Sequence, residues 1–97
     1  MEIAVIGGGA SGLTAAVAAR KSGASVTIYE SSERVGRKIL ATGNGRCNLT
    51  NINACAENYY GEHREFVKGA VNRFWVKETL AFFGELGIVY KTEERGK

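Results

Sequence analysis

An α/β fold is what this 97-residue sequence predicts: a βαβ unit with parallel strands, followed by a glycine-rich loop and two amphipathic helices. Three observations carry the prediction. Two short β-branched runs flank a segment of high helix propensity, a cluster of glycines separates the first run from that segment, and apolar residues recur at helical spacing in the second half of the chain.

The first run, Glu2 to Ile6, stops at Gly7, as expected of a parallel strand whose carboxyl end opens on a ligand. From Ala10 the residues Ala-Ser-Gly-Leu-Thr-Ala-Ala-Val-Ala-Ala-Arg-Lys-Ser predict a helix, with Arg20 and Lys21 complementing its negative end and Gly23 placed as its C-terminal cap. The second run, Ser25 to Tyr29, ends at an acid, Glu30, so that strand, helix and strand together take roughly thirty residues, the usual size of such a unit. From Ser31 to Asn53 the chain is rich in glycine, asparagine and basic residues. Only Arg37 to Ala41 can make a turn or two of helix there. Beyond it, Phe66, Val67, Ala70, Val71 and Phe74 predict one amphipathic helix; Leu80, Phe83 and Leu86, before Gly87, predict another; and a short strand is expected near Ile88 to Lys91.

Composition narrows the function classes. With 44% hydrophobic and 24% charged residues the chain can bury a core and is not composed like a disordered segment. Cys47 and Cys55 stand eight positions apart, a spacing that fits neither a redox pair nor a zinc site, so no metal is expected and both read as reduced thiols of a cytosolic protein. The apolar stretch after Met1 lacks the basic start of a signal peptide, and nothing is long enough to span a membrane. The net charge of +3 is local: residues 1–30 and 56–97 are each balanced, and the excess lies between Ser31 and Cys55, where Arg34, Arg37, Lys38 and Arg46 stand against Glu33. A focused basic patch beside glycines suits a small polyphosphate, whereas nucleic-acid binders spread charge over a face or helix.

Gly7-x-Gly9-x-x-Gly12 fits the dinucleotide fingerprint, in which the three glycines serve a tight turn, close approach of backbone to pyrophosphate, and close packing of helix on strand. Ala10 and Ser11 lie at the helix N-terminus facing the phosphates, where unpaired N–H groups stabilise an anion and Ser11 adds a hydroxyl. Glu30, 18 residues after Gly12 and followed by Ser31, is placed to accept hydrogen bonds from a ribose 2′-OH and to repel the 2′-phosphate of NADP. The fingerprint alone does not separate FAD from NAD. A second glycine-rich, basic loop follows: Gly36, Arg37 and Lys38, then Thr42, Gly43, Asn44, Gly45, Arg46, Cys47 and Asn48. It can reach back over the same ligand and offer backbone N–H groups and cations to the pyrophosphate.

These phrases, together with Phe82-Phe83-x-x-Leu86-Gly87, resemble the bacterial NAD(P)/FAD-dependent oxidoreductases similar to aminoacetone oxidase, and the resemblance covers essentially the whole chain. It implies a Rossmann-like FAD-binding domain of which residues 1–97 are the N-terminal part, with the rest of a much longer flavoprotein lying elsewhere. It further implies that FAD is the cofactor and that NAD(P)H can serve as reductant. An unidentified small-molecule substrate is the expected partner; nucleic acid is not expected, because the charge is confined to one loop and no aromatic and basic residues interleave on a face, and neither is a membrane. Lys38 and the Thr42 to Asn48 loop are then expected over the pyrophosphate, with Arg46 and Asn48 nearest the flavin ring. No residue here reads as an acid or base catalyst; His63 reads as a solvated residue near a helix start. The aromatic residues Tyr59, Tyr60, Phe66, Phe74, Trp75, Phe82 and Phe83 read mostly as core. Where similar proteins carry a Ser or Thr cap and a proline, this chain has Trp75-Val76-Lys77-Glu78, so the start of its last helix departs from the pattern. Two other readings fit the same residues: a non-catalytic nucleotide-binding fragment, and an NAD-binding module.

Overall fold

The computed structural model describes all of residues 1–97. The chain forms two compact units, Met1–Asn48 and Leu49–Lys97.

In the first unit β1 (Glu2–Ile6), α1 (Ala10–Lys21) and β2 (Ser25–Tyr29) form the expected βαβ arrangement. The two strands pair in parallel, Glu2 opposite Ser25 through to Ile6 opposite Tyr29. Side chains alternate with period two, so that Ile3, Val5, Val26 and Ile28 are half-buried while Ala4, Ile6, Thr27 and Tyr29 are exposed. The half-buried face is the one beneath α1, where Val5 Cγ1 lies 3.4 Å from the Cβ position of Gly12. Small residues let this helix lie close, and the buried apolar side chains are Ala16 in α1 and Ala24 just beyond it. Gly23 takes a left-handed conformation (φ +91°) after the helix and donates its N–H to the carbonyl of Arg20 at 3.0 Å, which ends α1 as the sequence predicts. The ladder runs one residue past each strand, through the Gly7 N–H to the Tyr29 carbonyl at 2.8 Å and the Ser25 N–H to the Met1 carbonyl at 2.9 Å. A single-turn helix α2 (Arg37–Ala41) and a 3-10 turn at Thr42–Gly45 complete the unit.

The second unit holds α3 (Lys68–Arg73), α4 (Val76–Glu85) and short 3-10 turns at Ala56–Asn58, Arg64–Val67 and Glu94–Gly96. Edge-on ring contacts join Phe74 to Phe82 and Phe82 to Phe83, with centroids 6.1 and 5.2 Å apart. Trp75 packs against Tyr59 and donates its indole Nε1–H to the Ala54 carbonyl at 2.8 Å. Although no Ser or Thr precedes α4, the Glu78 carboxylate accepts the Trp75 N–H at 2.9 Å and so satisfies one of the donors left over at the helix start. The final turn folds back within this unit: the Ile52 N–H donates to the Gly96 carbonyl at 2.9 Å and Asn51 Nδ2 to the Arg95 carbonyl at 2.9 Å.

Two expectations fail here. Ile88 to Lys91 is not a strand, because a strand needs a neighbouring ladder and the sheet contains β1 and β2 alone; Val89 is 94% exposed. The helix expected from Phe66 to Phe74 is α-helical only over Lys68–Arg73, and Phe66 and Tyr60, read from sequence among the core aromatics, are each 90% exposed. No helix is long and apolar enough to cross a membrane.

Candidate functional site at the carboxyl end of the first strand

Every residue singled out for dinucleotide binding lies in the first unit. At the end of β1 the three glycines of the fingerprint meet three different constraints. Gly7 has φ +96°, a conformation that side-chain-bearing residues rarely adopt. A Cβ on Gly9 would meet nothing within 4 Å, which leaves that face of the turn open to a ligand. A Cβ on Gly12 would stand 1.8 Å from the Gly7 carbonyl oxygen, so α1 can pack this tightly on β1 only without one. Gly9 is the extended residue before α1 (φ −82°, ψ −169°), with no side-chain cap and no acid in the first turn. The leading N–H groups of this twelve-residue helix, at exposed Ala10 and Ser11 and at Gly12, therefore keep the partial positive charge that suits an anion.

Glu30 faces this turn. One carboxylate oxygen accepts the Gly8 N–H at 2.8 Å and the other accepts the Ser32 N–H at 2.8 Å. The backbone N–H of Ser32 first, and that of Gly8 next, hold its carboxyl below the ordinary glutamate range, so it is ionised at neutral pH. Each oxygen retains a lone pair beyond these bonds, as contact with ribose hydroxyls requires. Ser31, beside it, is exposed.

The second loop joins the first at Gly36, whose N–H donates to the Gly8 carbonyl at 2.7 Å before α2 begins. Gly36 is left-handed (φ +71°), and Arg37 and Lys38 are exposed on the helix it starts. The residues from Thr42 to Asn48 bond among themselves and to α2: Thr42 Oγ1 donates to the Ile39 carbonyl at 2.9 Å, the Arg46 N–H to the Gly43 carbonyl at 3.0 Å, and the Cys47 N–H to the Thr42 carbonyl at 3.2 Å. The loop winds through left-handed conformations at Gly43, Asn44, Gly45 and Cys47, and a Cβ on Gly43 would lie 3.1 Å from the Asn48 nitrogen. Two of the N–H groups expected to face an anion are thus engaged inside the loop, and Asn44, Arg46 and Asn48 are exposed polar side chains on it. Cys47 and Cys55 are free, exposed thiols. His63, 81% exposed and 3.6 Å from Glu65, lies in the second unit as a surface residue.

Two contributions, those of Gly8 and Val35, escaped the sequence reading. Gly8 occupies a variable position of the fingerprint, yet it is buried, and a Cβ there would stand 2.5 Å from Val35 Cγ1. The only hint in the sequence is that three glycines run together where the fingerprint asks for two.

Comparison with known proteins agrees with this geometry. Over 93 residues the chain is 52% identical to the 3-dehydro-bile acid delta(4,6)-reductase of Clostridium scindens, covering 94% of this chain and 23% of the reductase. It is 38% identical over 96 residues to the ribosomal RNA dihydrouridine synthase of Haemophilus influenzae, covering 99% of this chain and 24% of that protein, and 31% identical over 93 residues to its Escherichia coli namesake, covering 96% and 23%. The chain therefore spans about a quarter of the length of these relatives. Residues 1–97 match throughout the family described as the HI0933-like protein Rossmann domain, and with the parallel βαβ unit and its glycine turn in place, the chain belongs to that family.

Proposed function

We propose that this chain is the FAD-binding segment of a flavin-dependent oxidoreductase and holds the ADP half of the cofactor. The observation that carries the reading is the turn itself: an open Cβ position at Gly9, a left-handed Gly7, and an α1 N-terminus that no side chain caps. In this reading the N–H groups at Ala10, Ser11 and Gly12 receive the pyrophosphate and Glu30 receives the adenosine ribose. Arg37, Lys38 and Arg46 supply positive charge against the phosphates. When bound, flavin supplies the hydride and electron chemistry; the residues of this chain bind and orient it.

The relatives' names describe reductive chemistry, on a bile acid in one case and in the making of dihydrouridine in the other. We therefore assign the whole protein to reduction of a carbon–carbon double bond, with NAD(P)H as electron source.

The test is a visible absorbance spectrum of the purified chain after incubation with excess FAD and removal of free ligand, beside the Gly9→Glu variant. Because nothing lies within 4 Å of the Gly9 Cβ position, the glutamate fits the protein and places its charge where the phosphates would go. Retained flavin that the variant loses supports the reading. Equal retention by both, or none by a folded wild-type chain, refutes it, and retention of NAD alone would favour an NAD module.

A further inference from the structure

The segment from Ser31 to Gly36 is bound to the phosphate turn at a single residue, Gly8. Its N–H donates to Glu30 Oε1 at 2.8 Å, and its carbonyl accepts the Gly36 N–H at 2.7 Å. Its α-carbon lies under Val35, whose Cγ1 and Cβ would stand 2.5 and 2.9 Å from an added Cβ. The other oxygen of Glu30 accepts the Ser32 N–H, and Ser32 Oγ donates to the Arg34 carbonyl at 2.9 Å, so the strap is tied at its start, middle and end. At Gly36 the chain turns directly into α2, which presents Arg37 and Lys38. The conformation of Gly8 lies outside the left-handed region, so its requirement for glycine is one of space.

From this geometry we propose that Gly8, Glu30 and Val35 are positioning residues that seat the basic α2 segment on the phosphate turn, so that both glycine-rich loops act on one pyrophosphate. The proposal rests on the cofactor reading above. It gives Gly8 a task different from that of its neighbours: Gly9 leaves room for a ligand and Gly12 for a helix, whereas Gly8 leaves room for the strap. It also gives Glu30 a task independent of any ribose, because its two oxygens tie the strap to the turn through backbone N–H groups.

The experiment compares wild type, Gly8→Ala, Val35→Ala and the double variant in the full chain, by FAD titration and by hydrogen exchange at the Gly36 amide. The methyl group introduced by Gly8→Ala collides with Val35 Cγ1. Val35→Ala removes that atom and leaves the Cβ of residue 35 at 2.9 Å, a distance that a shift of a few tenths of an ångström relieves. Gly8→Ala is expected to weaken FAD binding by about tenfold or more, in keeping with the cost of forcing extra methyl groups into tight contacts, and to expose the Gly36 amide. The double variant is expected to recover most of both. A single variant that binds like wild type, or a double variant no better than the single whether or not the single folds, overturns the proposal. If the wild-type chain holds no FAD, the cofactor reading itself fails. That result is distinguishable, because exchange at Gly36 still reports whether Val35→Ala reseats the strap.

Discussion

Gly12→Ala isolates the packing of α1 on β1. The added Cβ would lie 1.8 Å from the Gly7 carbonyl oxygen and 3.0 Å from its carbon, where contacts under 3.0 Å essentially never occur, so helix and strand must part by more than an ångström. Overpacking of this kind costs up to about 3 kcal/mol, and because the obstacle is backbone it cannot rotate away. Alanine in place of glycine returns roughly 1 kcal/mol through helix propensity, leaving a loss of about 2 kcal/mol. For a domain of this size that corresponds to a fall in Tm of roughly 8 to 16 °C. The assay is thermal unfolding followed by far-ultraviolet circular dichroism, with Gly9→Ala as control: no atom lies within 4 Å of its added Cβ, so its melting point is expected to fall only by the loss of about 0.5–1 kcal/mol that alanine brings at a helix N-cap, well short of Gly12→Ala. If Gly12→Ala melts with the control, the close approach of helix to strand is not what position 12 requires.

Two further outcomes are expected. Glu30→Gln leaves one of the two N–H groups at Gly8 and Ser32 facing an amide donor, and is expected to destabilise the chain at neutral pH. Since the folded carboxyl titrates below its ordinary value of 4.5, the advantage of wild type is complete above that pH and shrinks as the pH falls through the folded value; urea midpoints of both proteins across this range check it, and a difference that never changes with pH contradicts it. Trp75→Phe keeps a ring against Tyr59 but removes the bond to the Ala54 carbonyl, for an expected loss of about 1 kcal/mol in denaturant unfolding; an unchanged midpoint would show that the bond contributes nothing.

The first unit was almost wholly legible in the sequence. β1, α1, β2 and even the single turn of α2 stand where β-branched runs, alanine content and glycine punctuation place them, because each depends on near neighbours in the chain. The second unit was less so. Ile88, Val89 and Tyr90 have strand-forming side chains, but a strand is a property of a pair and no partner lies beside them. The periodicity of Phe66, Val67 and Ala70 signalled a helix from Phe66 onward, yet Arg64–Val67 winds as a 3-10 turn and the α-helical run, which holds the poor helix former Gly69 in its first turn, covers only Lys68–Arg73. At the candidate site, glycine spacing identified the turn and Glu30, whereas the bonds from Glu30 to the Gly8 and Ser32 N–H groups and the contact of Val35 with Gly8 depend on how the Ser31–Gly36 segment folds back. No spacing rule encodes that.

The reach of two bonds bears on the order in which the units can be made. The tie between Glu30 and Gly8 spans 22 positions, whereas that between Asn51 and the Arg95 carbonyl spans 44. During synthesis from the N-terminus, the first unit has all its internal partners once Asn48 has left the ribosome. The loop at Asn51, by contrast, must wait for the turn at Gly96. A nascent chain paused between these points would already carry a finished glycine turn.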